Sequence, residues 1–106
     1  MSLEFKTISK LINHLNRETA DKINSLNDEE KKVLEYFLQN VSVGAIIAVR
    51  ELKAFYRVED PKAVIRRLID IGLLEQGYGC YNLSKTIREE LLRLLLQQMR
   101  HNKGGI

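Results

Sequence analysis

The sequence has little that could staple, anchor or arm a chain. Its single cysteine, Cys80, excludes an internal disulfide, and a lone thiol suits a reducing compartment. Its single proline, Pro61, marks one position only. No run approaches the ~20 consecutive apolar residues of a membrane span, because charges interrupt every hydrophobic stretch. The opening residues Met1 to Lys6 are amphipathic and lack the apolar block of a secretory signal. Repeats and low-complexity tracts are absent. Catalytic equipment is equally sparse. His14 and His101 stand near the two ends and neither neighbours Cys80, so no nucleophile–base pair is offered. One Cys and two His at these spacings make no zinc pattern. Gly77-Tyr78-Gly79 lacks the downstream glycine and strand-to-helix context of a nucleotide loop. The expectation is a soluble cytoplasmic protein that is not an enzyme, with no metal, cofactor, membrane or small-molecule substrate.

What is present is an ordinary globular composition. Of 106 residues, 44% are hydrophobic and 29% charged, which excludes wholesale disorder and fits one compact domain with perhaps one extra element. The net charge of +3 is unevenly placed: through Asn40 six Lys/Arg face seven Asp/Glu, a net of −1, and from Val41 onward eleven face seven, a net of +4. A mildly basic second half suits a nucleic-acid surface as well as it suits a merely solvated one.

The periodicity of apolar residues gives mostly helices. Phe5, Ile8, Leu11, Ile12 and Leu15 predict an amphipathic helix over about 3–16, and Ala20, Ile23 and Leu26 a weaker stretch that either continues it or forms a second helix. Asn27-Asp28-Glu29-Glu30 is a helix start with a cap at Asn27 and an acid three residues on. Behind it Val33, Leu34, Phe37 and Leu38 form one apolar face. Residues 43–48 read either as a short buried strand or as the start of a helix capped by Ser42, and either way Val49, Leu52 and Phe55 continue at helical spacing to about Tyr56. Asp60-Pro61 opens a further helix that buries Val64, Ile65, Leu68 and Ile71 and stops at Gly72. Two short runs flank Gly77-Tyr78-Gly79 as a β-hairpin, and Ser84 caps a closing helix to about Arg100.

This order, with Val49-Arg50-Glu51-Leu52 opening one helix, Pro61 to Ile71 forming the next, and Gly72-Leu73-Leu74-Glu75 leading through Gly77-Tyr78-Gly79 to Tyr81-Asn82-Leu83-Ser84, resembles the winged helix-turn-helix family, particularly small archaeal winged-helix DNA-binding proteins and regulators. The resemblance covers about two thirds of the chain. It implies a mainly α fold with a small β-hairpin wing and extra N- and C-terminal helices. The organisation expected is a helical extension over 1–26, the winged-helix domain over 27–100, and a flexible tail over 101–106. The resemblance also implies double-stranded DNA as a partner, because that family lays the second helix of the pair in the major groove. Lys62, Arg66 and Asp70 recur at intervals of four and share one ridge, with Arg67 beside them. Lys53 and Arg57 flank the ridge as phosphate contacts, and Tyr78 stands at the wing tip. Arginine suits such a position because its planar fork can meet a guanine edge or clamp a phosphate. The wing itself carries no Lys or Arg from Glu75 to Asn82.

The closing helix holds a second signal. Leu91, Leu92, Leu94, Leu95 and Leu96 spread around most of its circumference, more than one core requires. Ile87, Leu91, Leu94 and Leu95 can dock on the domain, which leaves Leu92, Leu96 and Met99 for another partner. That partner is either a second copy or the N-terminal stripe of Ile8, Ile12 and Leu15. The preferred expectation is a homodimer binding duplex DNA, nucleoid-associated, in transcription regulation or chromatin organisation. The alternative is a winged helix used for protein–protein assembly, an accessory subunit of a replication or transcription complex.

Overall fold

The computed structural model describes residues 5–104, and the side chains of residues 5–100. The N-terminal stretch is two helices rather than one. Helix α1 (Lys6–Leu11) tightens into a 3-10 turn at Ile12–His14, Leu15 is extended, and α2 spans Arg17–Asn24. The break lies where Asn16 accepts a hydrogen bond from Thr19 N–H through its side chain (2.8 Å), a cap that frees α2 to start in a new direction.

Helix α3 (Asp28–Gln39) begins with a reciprocal capping box. Asn27 Oδ1 accepts from Glu30 N–H (2.8 Å), and Glu30 Oε1 accepts from Asn27 N–H (2.9 Å). Every residue from Val33 to Leu38 is buried. A helix covered on all sides is the centre of its domain, and its polar positions are satisfied accordingly. The Ile8 N–H donates to Glu35 Oε1 (3.1 Å) and Gln39 Nε2 to Glu35 Oε2 (3.2 Å). Tyr36 Oη donates to Glu51 Oε1 (2.5 Å). Burial, then the hydrogen bond to that carboxylate, pushes the Tyr36 phenol pKa above its usual range.

Strand β1 (Ser42–Gly44) runs directly into α4 (Ala45–Tyr56), so the ambiguous 43–48 stretch is a strand followed by a helix. Helix α4 ends on Arg57, whose backbone is left-handed (φ 56°, ψ 37°), an unusual conformation for a side chain with a Cβ. The turn folds Val58 into the core, with its N–H on Leu52 O (3.1 Å). Helix α5 (Pro61–Asp70) starts at Asp60, which accepts from Ala63 N–H (3.3 Å). It closes through a six-to-one bond from Leu73 N–H to Leu68 O (2.9 Å), with Gly72 at φ 86°. Ile65 and Leu68 are buried, Val64 and Ile71 half-buried.

Strands β2 (Leu74–Gln76) and β3 (Cys80–Leu83) form the hairpin. The antiparallel sheet has the order β1-β3-β2, with Val43 opposite Tyr81 and Glu75 opposite Asn82. Helix α6 runs over Lys85–Gly104, past the expected end near Arg100. Of the tail expected over 101–106, residues 101–104 are helical, while Gly105 and Ile106 lie outside the described residues. The protein is thus mainly α with a small β-hairpin wing. Ile8, Leu11, Ile23 and Leu26 share one core with Phe37, Leu52, Leu68 and Ile87, so the N-terminal helices pack into the same core as the rest.

Candidate functional site

The α5 ridge exists as a surface: Lys62, Arg66 and Asp70 are all exposed. Between α5 and the hairpin lies a shallow cleft lined by Lys62, Ile65, Arg66, Ile69, Gln76 and Tyr81. Arg67 departs from the ridge. Its Nε pairs with Glu30 Oε2, while the other oxygen of that carboxylate completes the α3 capping box. Arg67 therefore faces α3 and is committed to the fold. Lys53 and Arg57 are exposed at the end of α4. Arg57 also forms the left-handed turn there, so its position is set by chain reversal first.

The wing projects Tyr78 fully into solvent. Behind it, Gly77 N–H donates to Cys80 O (2.9 Å), and Gly79 turns the chain at φ 71°. Gly79 O accepts from Ala45 N–H (3.0 Å), which fastens the wing loop to the first residue of α4. Glu75 belongs to a different contact than a DNA-facing wing. One oxygen accepts from Lys85 N–H (3.0 Å) and the other faces Arg88 (3.6 Å), so this acid serves the start of α6.

The dimer candidates divide. Ile8 is in the core against α3, and Ile12 and Leu15 are half-buried, so the N-terminal stripe is largely covered by its own domain. Leu92, Leu96 and Met99 are exposed on α6. Leu95, expected to dock inward, is 48% exposed and joins them; Ile87 and Leu91 are buried and Leu94 half-buried. The docked stripe is narrower than expected because α6 outruns the domain.

Sequence reasoning missed a third surface. Phe55 is 75% exposed, and so are Ile46 (75%) and Ile47 (53%). Only Ala48 and Leu52 of α4 are buried, with Val49 and Tyr56 half-buried. The circumference argument that singled out α6 applies equally to 45–56, where six large apolar side chains outnumber one inward face. Titratable groups are scattered: His14 is exposed in the N-terminal turn, Cys80 is half-buried in β3, and among the described residues no three His, Cys, Asp or Glu gather as metal ligands. Among the described residues no helix is long and apolar enough to cross a membrane.

The family model described as PolB1 Binding Protein 2 matches residues 27–89, more than half of the chain. The chain belongs to that family. No curated protein matches it. The PolB1 Binding Protein 2 match opens on the capping residue Asn27 and closes at Glu89, in the second turn of α6. It takes in the α5 ridge, the wing and the exposed apolar residues of α4. The N-terminal helices and the exposed leucines of α6 fall outside the matched residues.

Proposed function

We propose that this protein is a non-catalytic accessory subunit that binds a DNA polymerase of the PolB1 type. The observation that carries this reading is the family match, which spans the whole α3-to-hairpin body and names PolB1 as the family's partner. Two surface features agree with a protein partner. The wing has no cation to place on a phosphate, and the large apolar side chains on α4 are exposed, as interface anchors are before association. Purified PolB1, immobilised and titrated with the full chain by biolayer interferometry, is expected to give saturable binding. A flat response across the titration would sink the proposal.

Contact with duplex DNA is a second reading, favoured by the exposed Lys62 and Arg66 on one ridge and by Lys53 and Arg57 nearby. Roles in transcription regulation or chromatin organisation, and a place at the nucleoid, would rest on that contact. Each phosphate neutralised adds about −0.9 to the slope of log affinity against log salt. Lys62→Ala with Arg66→Ala is therefore expected to flatten that slope by about two units. Fluorescence anisotropy on a labelled duplex at several salt concentrations measures it, and an unchanged slope rejects the ridge.

A homodimer is supported by the exposed Leu92, Leu95, Leu96 and Met99, a contiguous stripe at intervals of three and four. The expectation is that Leu92→Glu with Leu96→Glu sediments as a monomer at concentrations where the parent sediments as a dimer. A parent protein that is monomeric throughout rejects self-association.

A further inference from the structure

We propose that the outer face of α4 together with the wing tip is the polymerase docking face, with Ile46, Ile47 and Tyr78 as its apolar anchors and Arg50 and Lys53 as its charged rim. The inference rests on the PolB1-binding reading and assigns it a surface. It begins from the boundaries of the family. The match to the family covers 27–89, so the surface is sought there and not on the α6 leucines beyond it. Within that segment the large hydrophobic side chains left exposed are Val41, Ile46, Ile47, Phe55 and Tyr78. Three of the five lie together at one end. Ala45 N–H is bonded to Gly79 O (3.0 Å) and Gly44 is paired with Cys80, so Ile46 and Ile47 follow a residue fastened to the loop that bears Tyr78.

Helical geometry then supplies the rim. Arg50 is one turn after Ile46, and Lys53 one further turn on, and all three are exposed. The one acid of α4, Glu51, is turned toward the core and accepts the Tyr36 hydroxyl, so no carboxylate interrupts this face. The face is apolar at the wing and cationic toward the end of α4, which is complementary to an apolar pocket bordered by acidic side chains on the polymerase. Tyr and Arg are among the residues enriched at the hot spots of protein interfaces. Isoleucines on the leading turn of the helix suit a protein pocket and offer nothing to a phosphate backbone. Phe55 lies two turns beyond Ile47, about 12 Å along α4 from the wing, and Val41 at the far end of the sheet, where Val41 O accepts from Leu83 N–H, so neither belongs to the face.

Full-length chains carrying Ile46→Ser with Tyr78→Ser, Arg50→Glu, and Phe55→Ser would be compared with the parent for binding to immobilised PolB1 and, separately, to a labelled duplex. Far-UV circular dichroism melts confirm that each variant folds, which is expected because every altered side chain is solvent-facing or on the surface rim. The Ile46/Tyr78 pair and Arg50→Glu are expected to weaken polymerase binding by about tenfold or more, and Phe55→Ser to leave it unchanged. Parent binding that survives the Ile46/Tyr78 and Arg50 substitutions overturns the docking face while leaving the PolB1 reading intact. Loss confined to Phe55→Ser, or loss of duplex affinity with polymerase affinity retained, also overturns it. A parent that does not bind PolB1 overturns both.

Discussion

Phe37→Ala is expected to lower the unfolding free energy by about 3–5 kcal/mol, the range for deleting a fully buried aromatic ring. Phe37 has no solvent exposure and sits near the C-terminal end of α3, the helix that α1, α4, α5 and β3 pack against. Its ring meets Tyr36 edge-on at 5.1 Å and Tyr81 at 6.4 Å, so it joins the helical core to the central strand of the sheet. Edge-to-face pairs contribute about 0.5–1.5 kcal/mol beyond area burial, and an alanine would forfeit both while leaving a cavity bounded by fixed backbone. Since a domain of this kind is stable by about 5–15 kcal/mol in total, the loss is a large share of what there is. Phe37→Leu retains most of the apolar volume and is expected to cost much less. Urea titration followed by circular dichroism measures both; an alanine variant within about 0.5 kcal/mol of the parent, as for a surface change, contradicts the assigned core.

Removing residues 1–26 is expected to be nearly as damaging, although the family match begins only at Asn27. Four side chains in that segment, Ile8, Leu11, Ile23 and Leu26, are buried. At about 1.5–3 kcal/mol each, their burial contributes about 6–12 kcal/mol before the ordering entropy of the segment offsets part of it. The truncation also takes from Glu35 the Ile8 N–H donor and uncovers one side of α3. A net third of that burial corresponds to a melting temperature lower by about 10–20 °C. The far-UV melt of a 27–106 chain decides it: a transition at the parent's temperature would show an independent domain with a dispensable extension.

The parts of this fold legible in the sequence are those fixed by neighbouring residues. Asn27 with Glu30, Asp60 with Pro61, Gly72, and Ser84 (whose Oγ accepts from Ile87 N–H at 3.4 Å) are local chemistry, and each stands where spacing places it. Asn16, by contrast, is the same kind of cap and went unread because no strong apolar run follows it. Periodicity gave the inward face of α3 but not the burial of Tyr36 and Glu35, which depends on α4 and α1 closing over the two flanks. It placed Leu95 inward because a stripe of apolar side chains says nothing about where the underlying domain ends. The Arg67–Glu30 pair, separated by more than a third of the chain, has no local trace, so nothing near Arg67 announces its contact with α3. The exposure of Ile46, Ile47 and Tyr78 has no local trace either, and is visible only once the folded surface is known.

Glu75 gives the molecule a mechanical property. By holding Lys85 N–H with one oxygen and facing Arg88 with the other, it pins the first turn of α6 to the strand that leads into the wing loop. The helix then extends through Gly104, well beyond its last buried residue, Leu91. Glu75 thus ties the root of α6 to the hairpin, while Ile87, Leu91 and the half-buried Leu94 hold the helix on the core and the exposed Leu96 and Met99 stand beyond that attachment.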